Sequence, residues 1–120
     1  MSKLILVIED QEDNRRIMRD LFTSAGYEVI EAFTGEAGVT SAETHHPDLI
    51  LMDIQLPGID GYETTRRIKA NPDLSGITII AVTSYALCGD DAKAFEAGCD
   101  EYVAKPFSPR ELLAKVREYV

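Results

Sequence analysis

The sequence predicts an α/β fold: a doubly wound, five-stranded parallel sheet with helices on both faces. Three observations carry it. Short apolar runs alternate with longer stretches whose apolar residues recur at helical spacing, along the whole chain. Several runs are apolar at every position rather than every second one, as strands covered on both faces must be. Four of them end on polar residues, Glu9-Asp10, Asp53, Thr83 and Lys105. Parallel strands bring their carboxyl ends to one edge, where open α/β sheets bind ligands, so these residues converge.

The elements follow in order. Leu4 to Ile8 is the first buried strand. Asp13-Asn14 offers an N-cap to a helix carrying Ile17, Met18, Leu21, Phe22 and Ala25 inward, closed by Gly26. Glu28 to Ala32, with its charges, reads as a less buried strand nearer an edge. Thr34 caps a short helix from about Gly35 to Thr44, with Ala37 and Ala42 as small packing residues. Leu49 to Met52 is a central strand ending on Asp53, and Pro57, Gly58 and Gly61 force the chain to turn. Tyr62 to Ala70 is a helix with Ile68 inward, stopped at Asn71-Pro72. Ile77 to Val82 is a β-branched strand, and Asp90 to Ala97 a helix closed by Gly98. Glu101 to Ala104 is a short last strand. Ser108, Pro109 and Glu111 form a capping box for the final helix, whose stripe is Leu112, Leu113, Val116 and Tyr119.

A chain of 120 residues suits one domain, 1–120, with one core and no output domain. A net charge of -9 speaks against binding nucleic-acid phosphates or an anionic membrane. No apolar run approaches the ~20 residues of a membrane span, and the start lacks a signal-peptide pattern. Cys88 and Cys99 have no CxxC partner, so they read as packing residues of a cytoplasmic protein. His45-His46 reads as a solvated connection without further metal ligands around it.

Asp53 carries the chemical argument. A carboxylate at the top of an apolar strand costs too much to bury unpaired. Glu9 and Asp10 arrive at the same edge, and three close carboxylates repel one another. A small hard cation resolves the conflict. Mg²⁺, or Mn²⁺ in its place, takes such oxygens together with a backbone carbonyl and leaves a position for a phosphoryl oxygen.

At this point the chain resembles the receiver domain of two-component response regulators. The motifs are Ile8-Glu9-Asp10, Asp48 to Asp53 with Pro57-Gly58-Ile59-Asp60-Gly61, Thr83-Ser84, and Ala97 to Phe107, in order and across nearly the whole chain. The resemblance implies the flavodoxin-like strand order 2-1-3-4-5. It implies that Asp53 is the phospho-acceptor and that Glu9, Asp10, Asp53 and the Gln55 backbone carbonyl hold the metal. Thr83 and Lys105 would hold phosphoryl oxygens, Lys105-Pro106 would be a cis peptide, and Tyr102 would be the switch aromatic. Ala86, Leu87, Tyr102, Val103 and Phe107 would form the partner face. The implied partners are a sensor histidine kinase or histidine phosphotransferase and a downstream protein target. The implied protein is a switch rather than an enzyme, monomeric or weakly dimeric, of the stand-alone cell-cycle type.

Two departures and three rivals accompany this. The acidic pair is Glu-Asp where many members have Asp-Asp, and Ser84 stands where a smaller residue is common. An aspartate-nucleophile phosphatase wants a second aspartate where Gln55 stands. A flavin carrier wants a phosphate loop where Glu9 and Asp10 would repel phosphate. A constitutive docking module is expected to lack part of the pocket, and none of the key positions is missing.

Overall fold

The computed structural model describes residues 3–83, 90–104 and 108–120. Its strands are β1 (Leu4–Ile8), β2 (Glu28–Ala32), β3 (Leu49–Asp53), β4 (Thr78–Thr83) and β5 (Glu101–Ala104). Its helices are α1 (Glu12–Ser24), α2 (Gly35–His45), α3 (Gly61–Ala70), α4 (Asp90–Ala97) and α5 (Pro109–Arg117). All strand pairs are parallel and the order is β2-β1-β3-β4-β5, as expected.

Strand alternation sorts the apolar runs into two cores. Leu6, Ile8, Ile50, Met52, Ile79 and Ala81 face Ala42 of α2, Ile68 of α3 and Ala94 of α4. Ile5, Val7, Leu49, Leu51, Ile80 and Val82 face Met18 and Phe22 of α1 and Leu112 and Val116 of α5. Consecutive side chains of a strand point to opposite faces, so an unbroken apolar run fills both layers.

The helix ends follow local chemistry. Thr34, Asp60 and Ser108 each accept a bond from the backbone N–H three residues on, at 3.1, 2.9 and 3.0 Å. Asn71 leaves helical conformation ahead of Pro72. At the amino end of the sheet, the Asp100 carboxylate accepts from the Ile79 N–H at 2.9 Å and from Lys69 Nζ at 3.1 Å.

Several sequence expectations shift. Helix α1 starts at Glu12 with Gln11 as its cap residue, so Asp13-Asn14 does not cap it. The Asn14 amide instead donates to Glu9 Oε1 at 3.0 Å. Ile17 is 51% exposed, and the inward stripe is Arg15, Met18 and Phe22. In α2, Ala37 is exposed, and Gly35 and Gly38 make the close packing. A Cβ on Gly35 would collide with Thr64, and one on Gly38 with Ile8. Ile77 lies before β4, its N–H bonded to the Leu74 carbonyl at 3.0 Å. Tyr119 lies beyond the end of α5, 41% exposed, with its hydroxyl donating to the Glu101 carboxylate at 3.2 Å. His45 and His46 are both exposed, His46 capping α2 at φ 47°.

Candidate functional site at the carboxyl edge of the sheet

Three strand ends meet as the topology requires. Glu9 follows β1 and is 1% exposed; Asp53 closes β3 at 5%, and Asp10 is open to solvent. Each offers a carboxylate oxygen within 4.8 Å of the other two, the one such acidic cluster among the described residues. Thr83 closes β4, buried, one strand away from Asp53. Desolvated like charges at this separation need a counter-charge.

The donor set fits a hard cation. Mg²⁺ holds oxygens about 2.1 Å away, so two of its ligands lie at most about 4.2 Å apart. A triangle of carboxylate oxygens within 4.8 Å closes to that spacing by small rotations. One open, solvent-facing carboxylate beside two buried ones also leaves room for retained waters, which Mg²⁺ favours.

The walls of the site are held by backbone. The Gln55 N–H donates to Asp53 Oδ1 at 3.2 Å, and the Ile54 N–H to the Val82 carbonyl at 3.1 Å. The Gly61 N–H returns to the Ile54 carbonyl at 2.8 Å. A Cβ at Gly61 would meet the Asp53 carbonyl oxygen at 2.5 Å and Ile54 Cα at 2.6 Å. Only glycine lets α3 begin that close to the end of β3.

Tyr102 is half-buried on β5 and packs against the first core cluster. It pairs with Ala81, and Ala104 pairs with Thr83, so Tyr102 and Thr83 share one face of the sheet. Val103 packs on the opposite face, with the second cluster. Gln55 is exposed beside Asp53. Ala86, Leu87, Lys105, Pro106 and Phe107, and with them the cis peptide, lie outside the described residues.

Two residues at the site escape a reading of apolar periodicity. Asn14 grips the Glu9 carboxylate, and Arg15 donates to the Glu9 carbonyl at 2.9 Å. One signal was present: Arg15, Met18 and Phe22 fall at i, i+3 and i+7, which places a cation on the inner stripe of α1.

A doubly wound sheet with an acidic triad at its carboxyl edge and a threonine one strand away is the arrangement expected of a receiver domain. Comparisons with known proteins agree. The family model described as "Response regulator receiver domain" matches residues 5–117, and the chain belongs to that family. It is 40% identical to the polar-differentiation response regulator DivK of Brucella ovis, over 100% of this chain and 98% of the relative. A putative response regulator from Chloroflexus aurantiacus superposes with TM-score 0.95 at 31% identity, covering 99% of this chain and 98% of that one. The receiver domain of sensor histidine kinase PA1611 from Pseudomonas aeruginosa gives 0.92 at 38% identity, covering 99% and 98%. That structure has a magnesium ion coordinated in its active site cleft. The chain is thus a response regulator of two-component signalling, a switch of the DivK-like kind rather than a conventional enzyme. Such receivers interact with histidine kinases or phosphotransferases and with downstream targets.

Proposed function

We propose that Asp53 accepts a phosphoryl group from a phosphohistidine of a sensor histidine kinase or histidine phosphotransferase, and that the modified chain then changes its affinity for a protein target. The observation that carries this is the convergence of Glu9, Asp10 and Asp53 within 4.8 Å at the carboxyl edge of the sheet. A carboxylate oxygen of Asp53 attacks phosphorus, the bond to the imidazole nitrogen breaks, and the electron pair leaves with the imidazole. Glu9, Asp10, Asp53 and the Gln55 backbone carbonyl would hold Mg²⁺ or Mn²⁺. When bound, the metal supplies charge neutralisation at the phosphoryl oxygens. Thr83 and Lys105 are assigned the remaining phosphoryl oxygens by family resemblance. Tyr102 is assigned the switch, and its position on the same face as Thr83 supports that role.

The catalysis we assign is confined to the chain's own phosphorylation and dephosphorylation. Coverage of 98% of the Brucella relative supports action as a single receiver, and that relative's name supports a role in polar differentiation. Among the described residues no helix is long and apolar enough to cross a membrane, in keeping with a cytoplasmic site of action. Ala86, Leu87, Tyr102, Val103 and Phe107 remain the proposed contact residues, in a monomer or weak dimer.

The test is intact mass after incubation with acetyl phosphate and Mg²⁺, beside Asp53→Asn and an EDTA control. One added phosphoryl group, absent from both controls, is expected. If no adduct forms on a folded wild-type chain and beryllofluoride also fails to bind, a constitutive docking role replaces the switch.

A further inference from the structure

Glu9 is tied through its backbone and its side chain. Its N–H donates to the Ala32 carbonyl at 3.1 Å. Its Oε1 accepts from Asn14 Nδ2 at 3.0 Å and its Oε2 from the Gln11 N–H at 3.4 Å. Its carbonyl accepts from Arg15 Nη1 at 2.9 Å. Arg15 is only 9% exposed, rare for a cation without a specific partner. Its Nε lies 3.5 Å from the Glu31 carboxylate, and its Cζ sits 3.9 Å above the Phe33 ring. Arg19 holds the other oxygen of Glu31 at 3.3 Å.

We propose that Arg15 is a positioning residue for the cation site, fixing the main chain of Glu9 so that its carboxylate stays aimed into the cluster. The inference rests on reading Glu9, Asp10 and Asp53 as that site. Glutamate has one more rotatable bond than the aspartate common at this place, so its carboxylate is placed only if backbone and side chain are both held. Two consecutive residues of α1 divide that task, Asn14 on the carboxylate and Arg15 on the carbonyl. A planar guanidinium serves it well. Two N–H directions reach Glu9 and Glu31 at once while the flat face stacks on Phe33. A lysine ammonium can donate to oxygens but has no flat face to stack on Phe33 and no fixed fork of donors.

The sign of the effect separates positioning from charge. A guanidinium beside a cation site repels the cation, so by Coulomb's law alone its deletion strengthens metal binding. Positioning requires the reverse. A purely structural arginine would lower the melting temperature and leave affinity alone.

The experiment is a Mn²⁺ titration followed by the electron paramagnetic resonance signal of free Mn²⁺, on wild type, Arg15→Met, Arg15→Lys and Phe33→Ala, with metal-free melting temperatures in parallel. Arg15→Met is expected to bind about tenfold more weakly, the usual scale for losing a group that orients a ligand. Arg15→Lys should recover only part of this. Phe33→Ala removes an exposed ring and should weaken binding about two- to fivefold. A folded Arg15→Met with affinity within twofold of wild type, or tighter, overturns the inference. If Arg15→Met does not fold, Phe33→Ala binding like wild type overturns it. Wild type that binds no Mn²⁺ removes the cation site itself and the inference with it.

Discussion

Strand β3, in the middle of the sheet, and strand β5, at its edge, differ at every position. All five residues of β3 are buried, whereas all four of β5 are half-buried. β3 is bonded on both sides, to β1 and β4, and β5 among the described strands only to β4. The central strand therefore has one conformation available and delivers Asp53 to one place. The edge strand is covered less completely, so each of its side chains keeps part of its surface in solvent. The switch proposed above would use both: a fixed place for the added charge at Asp53, and a less constrained border beside it.

The sharpest way to break this contrast is to cut apolar side chains back to alanine in an inner strand and in the edge strand. Ile80→Ala, at a fully buried position of the inner strand β4, should lose about 2–5 kcal/mol in urea unfolding. Gly61→Ala presses a methyl against the Asp53 carbonyl and should cost about 1–3 kcal/mol and slow labelling by acetyl phosphate. Val103→Ala, half-buried on β5, should cost about 1 kcal/mol in the same unfolding measurement. Equal losses for Ile80→Ala and Val103→Ala would mean that the edge is as constrained as the centre.

The smallest effect concerns the thiol of Cys99, just before β5. Burial pushes its pKa above the ordinary 9.0, and the Asp100 carboxylate adds to this, while the Thr65 hydroxyl and Lys69 ammonium oppose it. The folded thiol thus holds its proton more tightly than the unfolded one. That contribution to stability is full below the ordinary thiol value and is lost as pH rises through 9.0 and beyond. In a Cys88→Ser background, iodoacetamide at pH 8 should label Cys99 far more slowly in the folded chain than in urea.

The sequence made the sheet legible because burial on two faces leaves an unambiguous mark: runs such as Leu49 to Met52 cannot be anything exposed. The same logic exposed Glu9, Asp10, Asp53 and Thr83, since each stands at or just past the polar end of such a run. The helix details were harder. Asn14 has the chemistry of a cap but is engaged by Glu9, a tertiary contact that local propensity does not see. Residue type alone points Ile17 inward, whereas the phase of α1 points Arg15 there, where the guanidinium has an anion, a carbonyl and a ring to satisfy it. In α2, the glycines that lower helix propensity are what allow the helix to approach Ile8 and Thr64.

The closed turn from Ile54 to Gly61 sets a rule for redesign. Because Gly61 returns its N–H to Ile54 with no space for even one methyl group, the segment works as a fixed-length ring rather than a tether. Side chains can be exchanged at its exposed positions, Gln55 and Pro57, without touching the closing contact. Residues cannot be added or bulk introduced at its closing point without moving Asp53. Chemistry can therefore be diversified here by substitution, while its geometry is inherited whole.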